Sequence, residues 1–208
     1  MLTVGLTGGI ATGKSLVSTL LGELGATVVD TDRIYHELLS SSTDLLMELR
    51  STFGADYFDE QGHLDRRKLG AHVFGNPEAL QKLNRICHPV IIDEMMARVD
   101  KLLEQNPGLP LVFMAIPLLF EVRLKDMVDR AVLVYAPEQV QAARLKARDR
   151  LTDEEVRVRL ASQLPIEEKR RLADIVIDNS GTIEQTAERV RSVLDQLMLD
   201  SVKAAKKA

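Results

Sequence analysis

The chain has 208 residues, enough for one large domain or a core carrying insertions, and can bury about 70% of its unfolded surface. Apolar residues make up 45% and charged residues 28%, which excludes disorder, and a net charge of -4 gives no general attraction to nucleic acid or anionic lipid. The single cysteine, Cys87, excludes an internal disulfide and a cysteine-cluster metal site, and its expected role is that of a small buried apolar residue. No run of 18 apolar residues occurs and the first residues read as a strand rather than a leader, so a cytoplasmic protein without nucleic-acid or membrane partners is expected.

Residues 2–7 read as a short buried strand, and beyond Gly13 the apolar Leu16, Val17, Leu20, Leu21 and Leu24 fall at helical spacing. Between them, Gly8-Gly9-Ile10-Ala11-Thr12-Gly13-Lys14-Ser15 fits G-x-x-x-x-G-K-[ST], which is a phosphate-binding loop when it joins a strand to a helix. Its glycines let backbone N–H groups turn inward on a polyphosphate, and the helix offers its positive end to the same anion. Lys14 is expected to bridge the β- and γ-phosphates and the Ser15 hydroxyl to coordinate Mg²⁺, so the chain is expected to bind a nucleoside triphosphate.

Gly25 stops the helix, and residues 26–30 read as a second buried strand that ends in acid. Strand, loop, helix and strand make a βαβ unit, so the sheet is expected to be parallel and doubly wound, with ligands at the carboxyl ends of its strands. Asp30-Thr31-Asp32 lies at such an end. A helix cap is one role for this pair and a substrate or metal contact the other, and the two are compatible.

From residue 33 to about residue 110 the alternation of strands stops. One or two amphipathic helices are expected over 34–49, an irregular stretch around Asp56-Tyr57-Phe58, and a helix over 65–74. Asn76-Pro77-Glu78 starts another that should break near His88-Pro89, and a further one runs over 90–104 until Asn106-Pro107-Gly108-Leu109-Pro110 ends it. His88 reads as a structural turn residue or a ligand contact. Arg66, Arg67 and Lys68 read as a solvated helix face unless the substrate carries phosphates.

Residues 111–116, 131–135 and 173–178 are the third, fourth and fifth strands. Leu118, Leu119 and Glu121 follow the third, with Glu121 either a ligand contact or a surface helix-start residue. Asn179-Ser180-Gly181 follows the fifth, where backbone groups are candidates for the adenine edge. Between the fourth and fifth strands Arg144, Lys146, Arg148, Arg150, Arg157 and Arg159 are concentrated, followed by Lys169, Arg170 and Arg171. Acidic neighbours such as Asp149, Asp153, Glu154 and Glu167 pair with part of this charge. Thr152-Asp153-Glu154-Glu155 reads as a capping box and Pro165 divides two helices. A short charged helical pair has the character of a mobile lid that brings arginines to the γ-phosphate and excludes water. Arg144 and Arg148 lie one turn apart and can face one ligand. Thr182-Ile183-Glu184-Gln185 opens the last helix, and residues 201–208 read as a frayed basic tail. The expected organisation is a nucleotide-binding core (1–32, 111–140 and 173–208), a helical acceptor-substrate insertion (33–110) and a lid (141–172).

A GTPase is disfavoured, because Asp59-Glu60-Gln61-Gly62 fits D-x-x-G but follows no buried strand and no N-K-x-D sequence exists. A non-catalytic nucleotide-binding regulator would not need the insertion and the lid. A small-molecule kinase explains all three features. The residues then resemble the dephospho-CoA kinases over nearly the whole chain: residues 5–10 with Gly13-Lys14-Ser15, Asp30-Thr31-Asp32, residues 64–69, Val73-Phe74, Leu83-Asn84, His88-Pro89, residues 117–121, Arg144 with Arg148-Asp149, Gln163, Lys169, Ala173-Asp174 and residues 176–181. The departures are mild: Ala11-Thr12 replaces the usual Gly-Ser, Leu16 the usual Thr or Ser, and Arg150 a frequent glycine. Ala11 has to adopt a backbone conformation that glycine takes without strain, but no N–H donor is lost.

The resemblance implies an α/β P-loop kinase, a five-stranded parallel sheet flanked by helices with a helical substrate-binding insertion and a helical lid, that uses ATP with Mg²⁺ to phosphorylate the ribose 3′-hydroxyl of dephospho-CoA. Asp32, Lys14 and Arg144 are the implied catalytic residues. ATP binding falls to Gly9, Ile10, Ala11, Thr12, Gly13, Lys14, Ser15, Leu16, Arg144, Arg148 and Asn179. Acceptor binding falls to Asp32, His88, Arg66 or Arg67, Leu118, Leu119 and Glu121, and the metal to Ser15 with Asp30 a further candidate through water. A monomer or weak homo-oligomer is expected. Another P-loop small-molecule or nucleotide kinase, or a nucleotide-binding regulator, is the alternative.

Overall fold

The computed structural model describes residues 1–205. In chain order its elements are β1 (Leu2–Gly8), α1 (Lys14–Glu23), β2 (Val28–Asp30), α2 (Thr31–Ser41), α3 (Thr43–Phe53), α4 (Arg66–Phe74), α5 (Pro77–Gln105), β3 (Leu111–Ala115), β4 (Arg130–Tyr135), α6 (Glu138–Asp149), α7 (Asp153–Ala161), α8 (Ile166–Leu172), β5 (Ile175–Asp178) and α9 (Ile183–Ala205). They fall into two compact units, Met1–Val29 with the chain from Leu102 onward, and Asp30–Lys101. Among the described residues no helix is long and apolar enough to cross a membrane.

The first unit is built on a five-stranded sheet in the order β2-β3-β1-β4-β5. β1 pairs in parallel with both β3 and β4, Leu6 standing opposite Ala115 on one side and Val132 on the other. A central parallel strand buries both faces, which is why β1, β3 and β4 read as continuous apolar runs. Val4, Leu6, Phe113, Ala115, Val132, Val134 and Ile177 pack with Val17 and Leu21 of α1 and Val190 and Leu197 of α9. Each such fully buried side chain contributes about 1.5–3 kcal/mol of transfer free energy. The result is a rigid platform whose β1–α1 turn is the phosphate loop.

The second unit is helical, with Leu39, Leu45, Leu49, Leu69, Val73, Ala79, Leu83 and Cys87 at its centre. Side-chain caps fix its helix starts: Ser42 accepts from Leu45 N, Asp65 from Lys68 N, and Asn76 from the amides of Glu78 and Ala79. The irregular stretch closes with an antiparallel bridge between Phe58 and Leu64.

Two expectations are corrected. The helix does not break at His88-Pro89: α5 is a single helix of 29 residues with Pro89 inside it. Pro89 removes one N–H donor, but Leu83 and Cys87 before it and Met95 and Val99 after it are all buried, and this apolar contact holds both halves in one helix. The tail from residue 201 is not frayed over its described part, because α9 runs to Ala205 with Ser201 buried. Residues 206–208 lie outside the described residues. Strand starts also shift, β2 to Val28 and β5 to Ile175.

Candidate active site

The loop between β1 and α1 is held from several directions. Thr12, fully buried, returns both its amide (3.2 Å) and its hydroxyl (2.8 Å) to the carbonyl oxygen of Gly9. Gly13 has φ of 93°, and a Cβ there would collide with Asn179 Nδ2, so both backbone and space demand glycine. Ala11 has φ of 59°, the left-handed conformation its sequence position anticipates, at a cost of about 1–2 kcal/mol. Among the described residues no side chain caps the N-terminus of α1, in contrast to α2, α3, α4 and α7. The positive end of its dipole favours an anion there. Lys14 and Ser15 open that turn, Lys14 half-buried and Ser15 exposed.

Asn179 fastens the loop to the sheet. Its Nδ2 donates to Thr12 O (2.7 Å), its Oδ1 accepts from Thr186 Oγ1 (2.7 Å), its amide donates to Tyr135 O (2.7 Å), and its carbonyl accepts from Arg144 Nη2 (2.8 Å). An ATP-contacting role through this residue's own polar groups would compete with bonds already made. Ile10 is similarly engaged: its amide donates to Gln163 Oε1 at 2.8 Å. Two of the loop amides assigned to ATP from sequence, those of Ile10 and Thr12, are thus committed to protein acceptors.

Beneath the loop lies a buried ion pair. Lys169 Nζ, in a side chain with no exposure, stands 2.7 Å from Glu121 Oε1 and donates to Gly8 O (3.2 Å) and Pro117 O (3.4 Å). Glu121 Oε1 also accepts from Leu164 N at 3.1 Å, while its Oε2 is buried with no partner among the described residues. Glu121 supports the loop through Lys169 rather than sitting at a free surface. Leu119 is fully buried, in the space facing Gly5, so it acts as a core residue and not through an exposed acceptor contact; Leu118 keeps partial exposure.

The arginine-rich segment sorts itself by partner. Arg148 chelates Asp149 through Nε (2.7 Å) and Nη2 (3.0 Å), Arg159 Nη1 reaches the same carboxylate (2.6 Å), and Arg157 holds Glu154. These exposed pairs are worth little in stability, and they occupy the guanidinium of Arg148. Arg144 differs in being bound to a backbone carbonyl, which leaves its charge uncompensated by that contact. Arg150 takes φ of 55° at the end of α6, the conformation a glycine would adopt freely. Thr152 and Glu155 complete the capping box on α7.

In the second unit Asp30 is the cap of α2, its Oδ1 accepting from Asp32 N at 2.8 Å, and Asp32 is exposed in the first turn. Arg66 is exposed at the start of α4. His88 lies within α5, and burial pushes its imidazole below the ordinary histidine range, which favours the neutral form. The Asp59-to-Gly62 match is a local turn: Asp59 Oδ1 accepts from the amides of Gln61 (3.0 Å) and His63 (2.7 Å).

A family model described as CoaE, dephospho-CoA kinase, matches residues 2–185. The chain belongs to the dephospho-CoA kinase family. It is 43% identical over 193 residues to the dephospho-CoA kinase of Carboxydothermus hydrogenoformans, covering 93% of each chain. Among solved structures, TT1252 from Thermus thermophilus superimposes with a TM-score of 0.76 at 35% identity, covering 94% of this chain and 97% of that one. The dephospho-CoA kinase from Campylobacter jejuni gives 0.70 at 28% identity, covering 95% and 98%.

Within this dephospho-CoA kinase fold, the sequence showed the phosphate loop itself but not what holds it. Gln163 is a point of resemblance only, and Lys169 reads in the sequence as a point of resemblance and one more charge of the basic segment. The signal for Lys169 is spacing: it follows Ile166 by three residues, and both lie on the buried face of α8. Gln141, buried with Nε2 on Ala136 O (2.9 Å) and its Oε1 where a Cβ on Gly9 would intrude, carries no such signal in a polar helix.

Proposed function

We propose that the chain transfers the γ-phosphoryl group of ATP to the 3′-hydroxyl of the ribose in dephospho-CoA, giving coenzyme A, the final step of its synthesis. The observation that carries this reading is the family match across residues 2–185, with a phosphate loop of fitting geometry at its head. In a loose transition state the protein contributes mainly position and charge. Lys14 and the first amides of α1 bind the polyphosphate, and Arg144 neutralises charge on the transferring group. Asp32 accepts the acceptor hydroxyl's proton and orients its oxygen. A loose transition state forms the bond to the attacking oxygen late and asks little of a base, so orientation is its larger part.

Magnesium accompanies ATP in this reading. Ser15 offers an exposed hydroxyl in the first turn of α1, a hard oxygen of the kind the ion takes. Among the described residues no cluster of three or more His, Cys, Asp or Glu could hold a metal, so nucleotide phosphates and water would complete its shell. When bound, the ion supplies positive charge to the β- and γ-phosphate oxygens.

The test is an ADP-release assay with dephospho-CoA, AMP, adenosine, shikimate and gluconate as acceptors. Dephospho-CoA should give the highest kcat/KM; a preference for any other acceptor overturns the assignment.

A further inference from the structure

Gly8, Gly9 and Ile10, at the head of the phosphate loop, are each met by a long side chain from the segment after β4. Lys169 Nζ donates to Gly8 O at 3.2 Å, Gln141 Oε1 stands where a Cβ on Gly9 would intrude, and Gln163 Oε1 accepts from Ile10 N at 2.8 Å. Gln163 is itself firmly placed in the connection between α7 and α8. Its own amide donates to Leu160 O (3.2 Å), and the next amide, that of Leu164, donates to Glu121 Oε1 (3.1 Å), the oxygen that holds Lys169 Nζ at 2.7 Å. These contacts form a ring that leaves the loop at Gly8 and returns to it at Ile10.

The point of return adjoins the loop's strained residue. Thr12 N on Gly9 O (3.2 Å) closes a turn with Ile10 and Ala11 at its centre, and Ala11, in the second central position, has φ of 59°. A positive φ at that position is the place of glycine in a type II turn. A left-handed alanine persists only where its surroundings over-determine it. Here the peptide group joining Gly9 to Ile10 is held at both ends, its oxygen by the Thr12 amide and hydroxyl and its N–H by Gln163. The Thr12 contacts lie inside the turn and move with it. Gln163 anchors the turn from outside on the near side of Ala11, as Asn179 does on the far side through Thr12 O.

We infer that Gln163 is a positioning residue for the phosphoryl donor: by holding the Gly9–Ile10 peptide it keeps Ala11 left-handed, and so aims the chain that runs into Gly13 and α1 at the polyphosphate. The inference rests on the kinase reading above for the identity of the donor. Gln163 acts through a loop amide 153 positions away, so its loss reads as donor affinity that depends on the residue at position 11.

The experiment is calorimetric titration of the β,γ-imido analogue of ATP with Mg²⁺ into a double-mutant cycle of wild type, Gln163→Met, Ala11→Gly and the double variant, with Gln163→Ala as a second removal of the acceptor. Thermal unfolding reports on the fold. With alanine at position 11, Gln163→Met and Gln163→Ala should each weaken binding about tenfold, the scale of the penalty on a left-handed alanine, and raise KM for ATP more than they lower kcat. In the Ala11→Gly background the same removal should cost less than about threefold, because glycine takes a positive φ without support. Unaltered affinity in both Gln163 variants, or the same fold loss in both backgrounds, overturns the positioning role. Turnover of dephospho-CoA is measured separately: a wild type that binds the analogue without phosphorylating dephospho-CoA overturns the acceptor reading while the cycle still decides the role of Gln163, and one that does not bind the analogue overturns both.

Discussion

Asn179 and Thr12 are separated by 167 positions and joined by one buried hydrogen bond, Nδ2 to the carbonyl oxygen at 2.7 Å. This bond ties the phosphate loop to the end of β5, and Thr186 fixes the amide's orientation from the other side. Asn179→Leu leaves Thr12 O and Thr186 Oγ1 without their partner in a buried setting. It should cost about 2–4 kcal/mol in chemical denaturation and raise KM for ATP more than it lowers kcat. A variant with wild-type stability and KM would show that the loop is held by other means.

The Lys169–Glu121 pair is expected to behave as a unit. Lys169→Met alone strands a carboxylate that keeps only 18% exposure and removes the donor to Gly8 O and Pro117 O, a loss of about 2–4 kcal/mol. Glu121→Leu alone strands the ammonium. The double variant should be more stable than the sum of the singles by about 1 kcal/mol or more. Additive losses in urea unfolding would mean the two side chains act independently.

The roles given to Arg144 and Asp32 separate kinetically from structural ones. Arg144→Ala removes one hydrogen bond, to Asn179 O, and so should reduce stability by about 1 kcal/mol, while kcat falls by about 100-fold or more. Arg144→Lys should not restore it, because a point charge does not reproduce the fork. Asp32→Asn should lower kcat by a similar factor at unchanged KM for ATP. If the losses for Arg144→Ala appear only in thermal unfolding, it is a structural residue.

Alkaline pH should destabilise the second unit. Burial pushes the Cys87 thiol and the Tyr35 hydroxyl up to about 12 in each case. In the unfolded chain they ionise near about 8.5 and 10. The folded state thus holds protons that the unfolded state has lost, so this stability is complete below about pH 8.5 and declines as pH rises towards 12. Cys87→Ala should flatten the lower part of that decline. Native Cys87 should also resist iodoacetamide at pH 8 and react once denatured; rapid native alkylation would contradict its burial.

What was legible in the sequence depended on local chemistry. The turn of β1 into α1, the Asn76 cap and the Thr152 box are written in adjacent residues and stand in the structure as read. Pro89 misled, because the rule that proline ends helices weighs one missing donor and cannot see the apolar contacts that span it. The site's supports were illegible for a related reason. Asn179, Gln163 and Lys169 act on the loop across more than 150 positions, and no spacing rule connects residues brought together only by sheet order.

The expected reaction moves phosphate to one hydroxyl of one acceptor. Phosphorus NMR of the product from ATP and dephospho-CoA tests it most directly. A new phosphomonoester resonance coupled to the ribose H3′, in equal amount to ADP, is the expected result. A phosphate at any other position, or ADP accompanied only by inorganic phosphate, would contradict it.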